Sequence, residues 1–291
     1  MAMSSKVFIY NAKGASSPSA EDLKELFSSK NIFVKKPDVQ LSDFNFDPSG
    51  LSTPTFVVPG GSTIALSHYI KPRIDKMRGI IKNDFNYVGI CAGAFIGANS
   101  ADLFHTSHQY NDQQESLDEP SFLFTIDENM NLNLVTDYKA VGAFYPHDGH
   151  KNPAPKKQYM PYRVNLTLAE TKEDLPQLYV SGPGFFSTNR RPQSSVVATY
   201  ADCNTYTFPY EKEKMQINSF PAMISSKPSE GKGGVFLSGT HIETCVPNSK
   251  LLTFFKSPGL QNAPLNALDV SALEQAEARA TVESLLSKSL K

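Results

Sequence analysis

The sequence predicts an α/β fold built on a parallel sheet. Three observations predict it. Short apolar, often β-branched runs at 6–11, 55–58, 86–90 and 234–239 alternate with helical patterns, as in βαβ units. Two of these runs end in glycine-rich turns, Pro59-Gly60-Gly61 and Gly89-Ile90-Cys91-Ala92-Gly93. At 40% hydrophobic residues over 291 positions, the chain can also bury a full core.

The elements follow in order. Residues 6–11 form the first strand. A helix runs from Ser19, its cap, to about Ser29, with acids in its first turn and Leu23, Leu26 and Phe27 as its apolar stripe. Residues 32–35 read as a short strand, and 36–54, polar with three prolines, as a loop. Strand 55–58 enters the Pro-Gly-Gly turn, and a helix over 63–83 is bent or interrupted by Pro72. Strand 86–90 delivers Cys91, and the next helix carries Ala92, Ala94, Phe95 and Ile96 into the core. Alternation at 122–126 and 132–136 predicts an antiparallel β insertion over about 101–175, with a loop at 146–161. Strands follow at 177–181 and 195–200, then a Ser/Gly/Lys loop over 222–233 and the strand 234–239. An amphipathic helix capped by Asp269 or Ser271 completes the chain. One domain over 1–260 with a helical tail over 261–291 is therefore expected.

The chemistry centres on Gly89-x-Cys91-x-Gly93. The spacing matches a nucleophile elbow, a turn from strand to helix so tight that its apex is strained and its neighbours must be glycine. Amides of the following helix turn point at the apex and favour a thiolate there. The other reading of such a cysteine is a small core residue.

A thiolate nucleophile needs a histidine to exchange protons and a third group to orient it. Of six histidines, only His241 follows a buried strand and precedes a carboxylate by two residues. In extended backbone, residues two apart share a side, so Glu243 can reach the far ring nitrogen. The Pro-Gly-Gly loop lets backbone approach a ligand closely. The amides of Gly61 and Ala92 are assigned as an oxyanion hole.

These three segments, in this order, resemble the class I glutamine amidotransferase-like superfamily. The match is nearest to the domain at the N-terminus of eukaryotic-type biotin–protein ligases and its free-standing bacterial relatives. Segments 7–11, 56–61, 88–94, 178–185 and 237–243 carry the resemblance, which spans most of residues 6–250. It implies a Cys91–His241–Glu243 triad on a flavodoxin-like three-layer sheet. Two departures stand out. Glutaminases of this superfamily usually carry Gly-x-Cys-x-Gly-x-Gln, and Phe95 occupies the glutamine's place, with no side-chain hydrogen bond to offer. Ile242 replaces the proline of His-Pro-Glu but keeps the spacing. The pocket is expected from Gly60, Phe95, Gly182 and Arg190, the last as a clamp for a substrate carboxylate or as an exposed basic turn.

Nothing in the chain resembles the ligase catalytic domain, and no Gly-x-x-x-x-Gly-Lys loop for phosphates is present. A net charge of −1 gives no footprint for nucleic acid or an anionic membrane. No run approaches a membrane span of ~20 apolar residues, and the first residues lack an export leader's apolar stretch. A cytoplasmic protein is the expectation, with leaderless export as the alternative. Three cysteines, Cys91, Cys203 and Cys245, suggest no disulfide framework. Cys245 reads as a core thiol or a redox neighbour. The pairs His105/His108 and His147/His150 lie in polar sequence without a matching second cluster, so neither a metal nor another cofactor is expected.

The expected function is a cysteine hydrolase of the amidotransferase-like type, acting on an amide or ester of a small molecule or peptide. A separate protein partner would take up ammonia if ammonia were the product. The alternatives are a non-catalytic binding or regulatory module on the same fold, and a redox-sensing thiol protein.

Overall fold

The computed structural model describes residues 6–33, 37–43, 54–105, 110–111, 114–115, 121–126, 130–142, 161–187, 189, 192–201, 220–226, 233–256 and 276–290. The main sheet begins with β1 (Lys6–Tyr10), β2 (Asp38–Ser42), β3 (Thr55–Val58) and β4 (Asn86–Ile90). It is completed by β10 (Tyr162–Leu168), β11 (Asp174–Tyr179), β13 (Ser195–Tyr200), β14 (Phe220–Ser226) and β15 (Val235–Ser238). The order is β11-β10-β13-β14-β15-β4-β3-β1-β2. From β15 to β2 every pairing is parallel. Read from its edge, β2-β1-β3-β4-β15 is the flavodoxin-like strand order. From β15 to β11 the pairings are antiparallel.

Alternation along β1 explains the layering. Val7 and Ile9 enter one core cluster, Phe8 and Tyr10 the other. Helix α1 (Ser17–Phe27) supplies Ala20, Leu23, Leu26 and Phe27 to the first face, and α6 (Ala276–Ser289) adds Ala278, Val282 and Leu286. Helices α2 (Thr63–Ile70) and α3 (Ile74–Asp84) cover the second with Leu66, Ile70, Ile74, Met77 and Ile81. Each fully buried large side chain contributes roughly 1.5–3 kcal/mol.

Several expectations shift. Helix α1 begins three residues early because Pro18 suits its first turn, so Ser19 lies inside the helix and Ser16 is the cap residue. Glu21 and Asp22 consequently fall beyond that turn. Of the strand expected at 32–35, residues 32 and 33 lie in a turn, with Ile32 in the core, and 34–35 lie outside the described residues; within the span read as loop, β2 places Val39 and Leu41 alternating with polar residues beside β1. Pro72 interrupts the long helix: a 3-10 turn over Lys71–Arg73 separates α2 from α3, since proline lacks the N–H and crowds the preceding turn. Residues 222–226, read as loop, belong to β14.

The expected insertion divides. Strands β5 (Ala101–His105), β8 (Ser121–Ile126), β9 (Tyr138–Val141) and β12 (Gly184–Ser187) form a second sheet in the order β12-β9-β5-β8. A small ribbon pairs β6 (Tyr110–Asn111) with β7 (Gln114–Glu115). The 132–136 segment contributes only a bridge at Val135, and the strand follows it. Residues 162–179 extend the main sheet instead of the insertion. The terminal helix packs its buried face into the first core cluster. The expected caps Asp269 and Ser271 and the 146–160 loop lie outside the described residues.

Candidate active site

Strand β4 and helix α4 (Ala92–Gly97) are separated by a single residue, Cys91. It takes φ 49° and ψ −105°, backbone that a side chain resists. The flanking glycines make that turn sterically feasible. A methyl group on Gly93 would lie 2.1 Å from the Val58 carbonyl oxygen, and one on Gly89 2.5 Å from the Gly93 oxygen. The Tyr87 hydroxyl donates to that same Gly93 oxygen at 2.8 Å, and the Cys91 amide donates to Ser238 at 2.8 Å. The elbow is thereby tied to β4 and β15.

First-turn amides are divided between partners. Gly93 donates to Pro59 at 3.3 Å, while Ala94 and Phe95 donate to the Cys91 carbonyl at 3.0 and 3.3 Å. The Ala92 amide has no acceptor among the described residues. In the Pro-Gly-Gly loop, Gly60 accepts from the Ser16 amide and Ser62 donates to Gly14, both at 2.8 Å. That pattern makes Ala15 and Gly61 a non-hydrogen-bonded pair, which turns the Gly61 amide away from its neighbour.

His241 follows β15, its backbone amide held by the Leu178 carbonyl at 2.8 Å. Its Nδ1 is 2.8 Å from Glu243 Oε1. The geometry corrects the extended-strand expectation. Residues Ile242–Cys245 form a 3-10 turn, and it is this turn that brings the carboxylate back to the ring. The Cys91 thiol donates to the Val180 carbonyl at 3.5 Å, and its sulfur is near enough for its negative charge to act on the imidazole. Cys91 is 5% exposed, His241 4% and Glu243 0%. Burial alone would lower the His241 pKa; the negative charges of Glu243 and Cys91, with their hydrogen bonds, outweigh it and hold the ring protonated well above its ordinary range.

Two supports were invisible in the sequence. Ser19, inside α1, donates to Glu243 Oε1 at 2.5 Å and accepts from the Gly60 amide at 3.3 Å. Ser181 has φ 52° and a buried hydroxyl without a partner among the described residues, directly after the carbonyl that contacts Cys91. Its turn is held by Tyr179, which donates to Gly182, and Tyr200, which donates to Pro183, at 2.8 and 2.9 Å. In sequence Ser19 reads as a helix cap, and Ser181 as one residue of the 178–185 segment with no role of its own.

The expected pocket residues have different surroundings. Gly60 packs against His241: a methyl there would lie 2.4 Å from its Cε1. Gly182 is wedged against the Gly239 carbonyl, 1.8 Å from where its methyl would be, and so acts as a spacer between two turns. Phe95 is 1% exposed, in the core beside Gly142, and presents no open surface. It is placed there because it follows the elbow on the buried face of α4. Arg190, Cys203, His108, His147 and His150 lie outside the described residues, as does the side chain of His105. Cys245 is a buried thiol whose pKa burial pushes up to about 12. Among the described residues no group of three or more His, Cys, Asp or Glu side chains could hold a metal ion, and no helix is long and apolar enough to cross a membrane.

Several solved structures are similar in fold. One described as a glutamine amidotransferase is 14% identical, with a TM-score of 0.46, covering 86% of this chain and 96% of that one. PurLQS from Thermotoga maritima is 13% identical, with a TM-score of 0.44, covering 87% and 100%. A ThuA-like protein from Bacteroides uniformis is 14% identical, with a TM-score of 0.40, covering 87% and 90%. No curated protein sequence matches the chain. The family described as "Biotin-protein ligase, N terminal" matches residues 5–288. Nearly the whole chain is thus accounted for, and it belongs to the biotin–protein ligase N-terminal domain family.

Proposed function

We propose that the chain is a cysteine-nucleophile hydrolase of the amidotransferase-like type, acting on an amide or ester. The observation that carries this reading is Cys91 at φ 49°, its charge acting on an imidazole whose Nδ1 rests on a buried carboxylate. The Cys91 thiolate attacks the carbonyl carbon, and the amides of Gly61 and Ala92 receive the oxyanion. His241 gives its proton to the leaving nitrogen or oxygen as that bond breaks, which leaves a thioester. Water then attacks the thioester carbon, its proton passes to His241, and the carbon–sulfur bond breaks to release the acid. Glu243 fixes the ring so that Nε2 faces the sulfur.

If ammonia is the product, a separate protein consumes it.

The test is acyl trapping. With p-nitrophenyl acetate, mass spectrometry should find an acetyl group on Cys91 and a burst of p-nitrophenol equal to the protein. His241→Ala should slow the burst. No burst, or acetylation of Cys245 at the same rate, overturns the enzyme reading and leaves a binding module.

A further inference from the structure

Ser19 is the residue that the triad reading does not yet use. It is fully buried, at 0% exposure, and its hydroxyl touches two functional segments at once. The Gly60 amide can only donate, so at their 3.3 Å contact the serine oxygen must accept. A hydroxyl carries a single proton, and that proton is therefore committed to Glu243 Oε1 at 2.5 Å. The same Oε1 faces His241 Nδ1 at 2.8 Å. The chain of donors runs in one direction: Gly60 amide to Ser19, and Ser19 to Glu243, which also receives the imidazole N–H. The second carboxylate oxygen, Oε2, is buried without a partner among the described residues. Ser19 is thus the only group besides His241 that hydrogen-bonds the carboxylate among the described residues.

From this arrangement we propose that Ser19 is a positioning residue of the site, joining the orienting carboxylate to the Pro-Gly-Gly loop. The proposal rests on the triad reading and deepens it. Without the hydroxyl, the buried carboxylate keeps the imidazole as its one hydrogen-bond partner among the described residues, and its position is no longer fixed. The imidazolium then loses its fixed counter-charge, and the thiolate loses the imidazolium. The loop loses its register against the ring at the same time, since Gly60 packs on His241.

The anchorage of Ser19 fits this task. Three residues on, and so on the same helix face, the Asp22 carboxylate accepts from Ser249 Oγ and from the amides of Lys250 and Leu251 at 2.5, 2.7 and 3.0 Å. That grip fixes α1 against α5 (Lys250–Phe255), the helix that follows the triad turn. The charged and titratable groups facing the pair are Asp22 on α1, Cys245 in the triad turn with Arg279 and Glu283 of α6 beyond it, and Cys91 itself.

The experiment measures Cys91 alkylation by iodoacetamide at pH 6.5 and pH 9.5, in the wild type and in Ser19→Ala, Ser19→Thr and Ser19→Val. Loss of the charge-assisted hydrogen bond should slow Ser19→Ala about tenfold or more at pH 6.5. At pH 9.5, where a thiol ionises without help, the rate should stay within about twofold. Threonine should behave as the wild type and valine, of similar shape, as alanine. An unchanged rate in Ser19→Ala, or an equal loss at both pH values, overturns the proposal. So does failure of every hydroxyl-free variant to melt cooperatively, which assigns the hydroxyl to folding. A wild type in which Cys91 is no faster than Cys245 at pH 6.5 sinks the triad reading itself; a fast wild type with an unaffected Ser19→Ala sinks only the role of Ser19.

Discussion

Gly60→Ala puts the site's geometry under direct strain. Gly60 is not among the positive-φ glycines, so alanine fits the backbone and the perturbation is purely steric. The new methyl would lie 2.4 Å from His241 Cε1 and 3.3 Å from each ring nitrogen. Carbon atoms settle about 3.5–4.0 Å apart, so the ring must retreat by roughly 1 Å. It cannot do so freely, because Nδ1 is held 2.8 Å from Glu243. A shift of that size takes the carboxylate contact beyond hydrogen-bonding range, which ends near 3.2 Å. Overpacking of this kind costs about 1–3 kcal/mol, within the stability of a domain this large, so the variant should fold. Misplacing a reacting group by about 1 Å costs on the order of 10²-fold. Cys91 alkylation at pH 6.5, followed by peptide mass spectrometry, should therefore fall roughly tenfold to a hundredfold with an intact circular dichroism spectrum. Gly79→Ala is the control, since no atom lies within 4 Å of a methyl there. A folded Gly60→Ala that reacts at the wild-type rate would refute the placement of the imidazole.

Other outcomes follow from the same contacts. Gly93→Ala drives a methyl to 2.1 Å from the Val58 oxygen, so chemical denaturation should show a loss above ~3 kcal/mol, and a smaller loss means the elbow is looser than described. Ser181→Gly removes both a left-handed side chain and an unpartnered hydroxyl; it should stabilise the protein by about 1 kcal/mol, and destabilisation contradicts the strain. Asp22→Ala strips three hydrogen bonds from the start of α5 and should cost about 2–4 kcal/mol in urea unfolding, with a near-neutral result denying the clamp. The raised His241 value gives a sign to pH dependence. Its stabilising contribution is complete below the ordinary 6.5 and is lost as pH rises through about 10, so Tm should fall across that interval more steeply in the wild type than in His241→Gln. Equal slopes contradict the ion pair.

What could be read from the sequence was local. Gly89, Cys91 and Gly93 announce the elbow because the steric demand falls on residues two apart, and Pro72 breaks its helix by its own ring. His241 and Glu243 were legible as a pair, but not the turn that joins them, because spacing alone does not distinguish extended backbone from a 3-10 turn. Ser19 looked like a helix cap; its partner Glu243 lies 224 positions away, and no local pattern encodes that. The same limit hid the joining of 162–179 to the main sheet, since antiparallel pairing with β13 depends on residues not yet reached in the chain. Strand β2 was obscured by the polar residues and prolines around Val39 and Leu41, as suits an edge with one half-covered face.

The central claim is that the Cys91 sulfur is activated by the imidazole beside it. Competitive labelling with limiting iodoacetamide at pH 6.5 tests it most directly, comparing Cys91 with buried Cys245 in the wild type and in His241→Ala. Cys91 should capture nearly all the label, and the substitution should remove most of this advantage. Equal labelling of the two thiols, or a Cys91 rate indifferent to loss of the histidine, would contradict it.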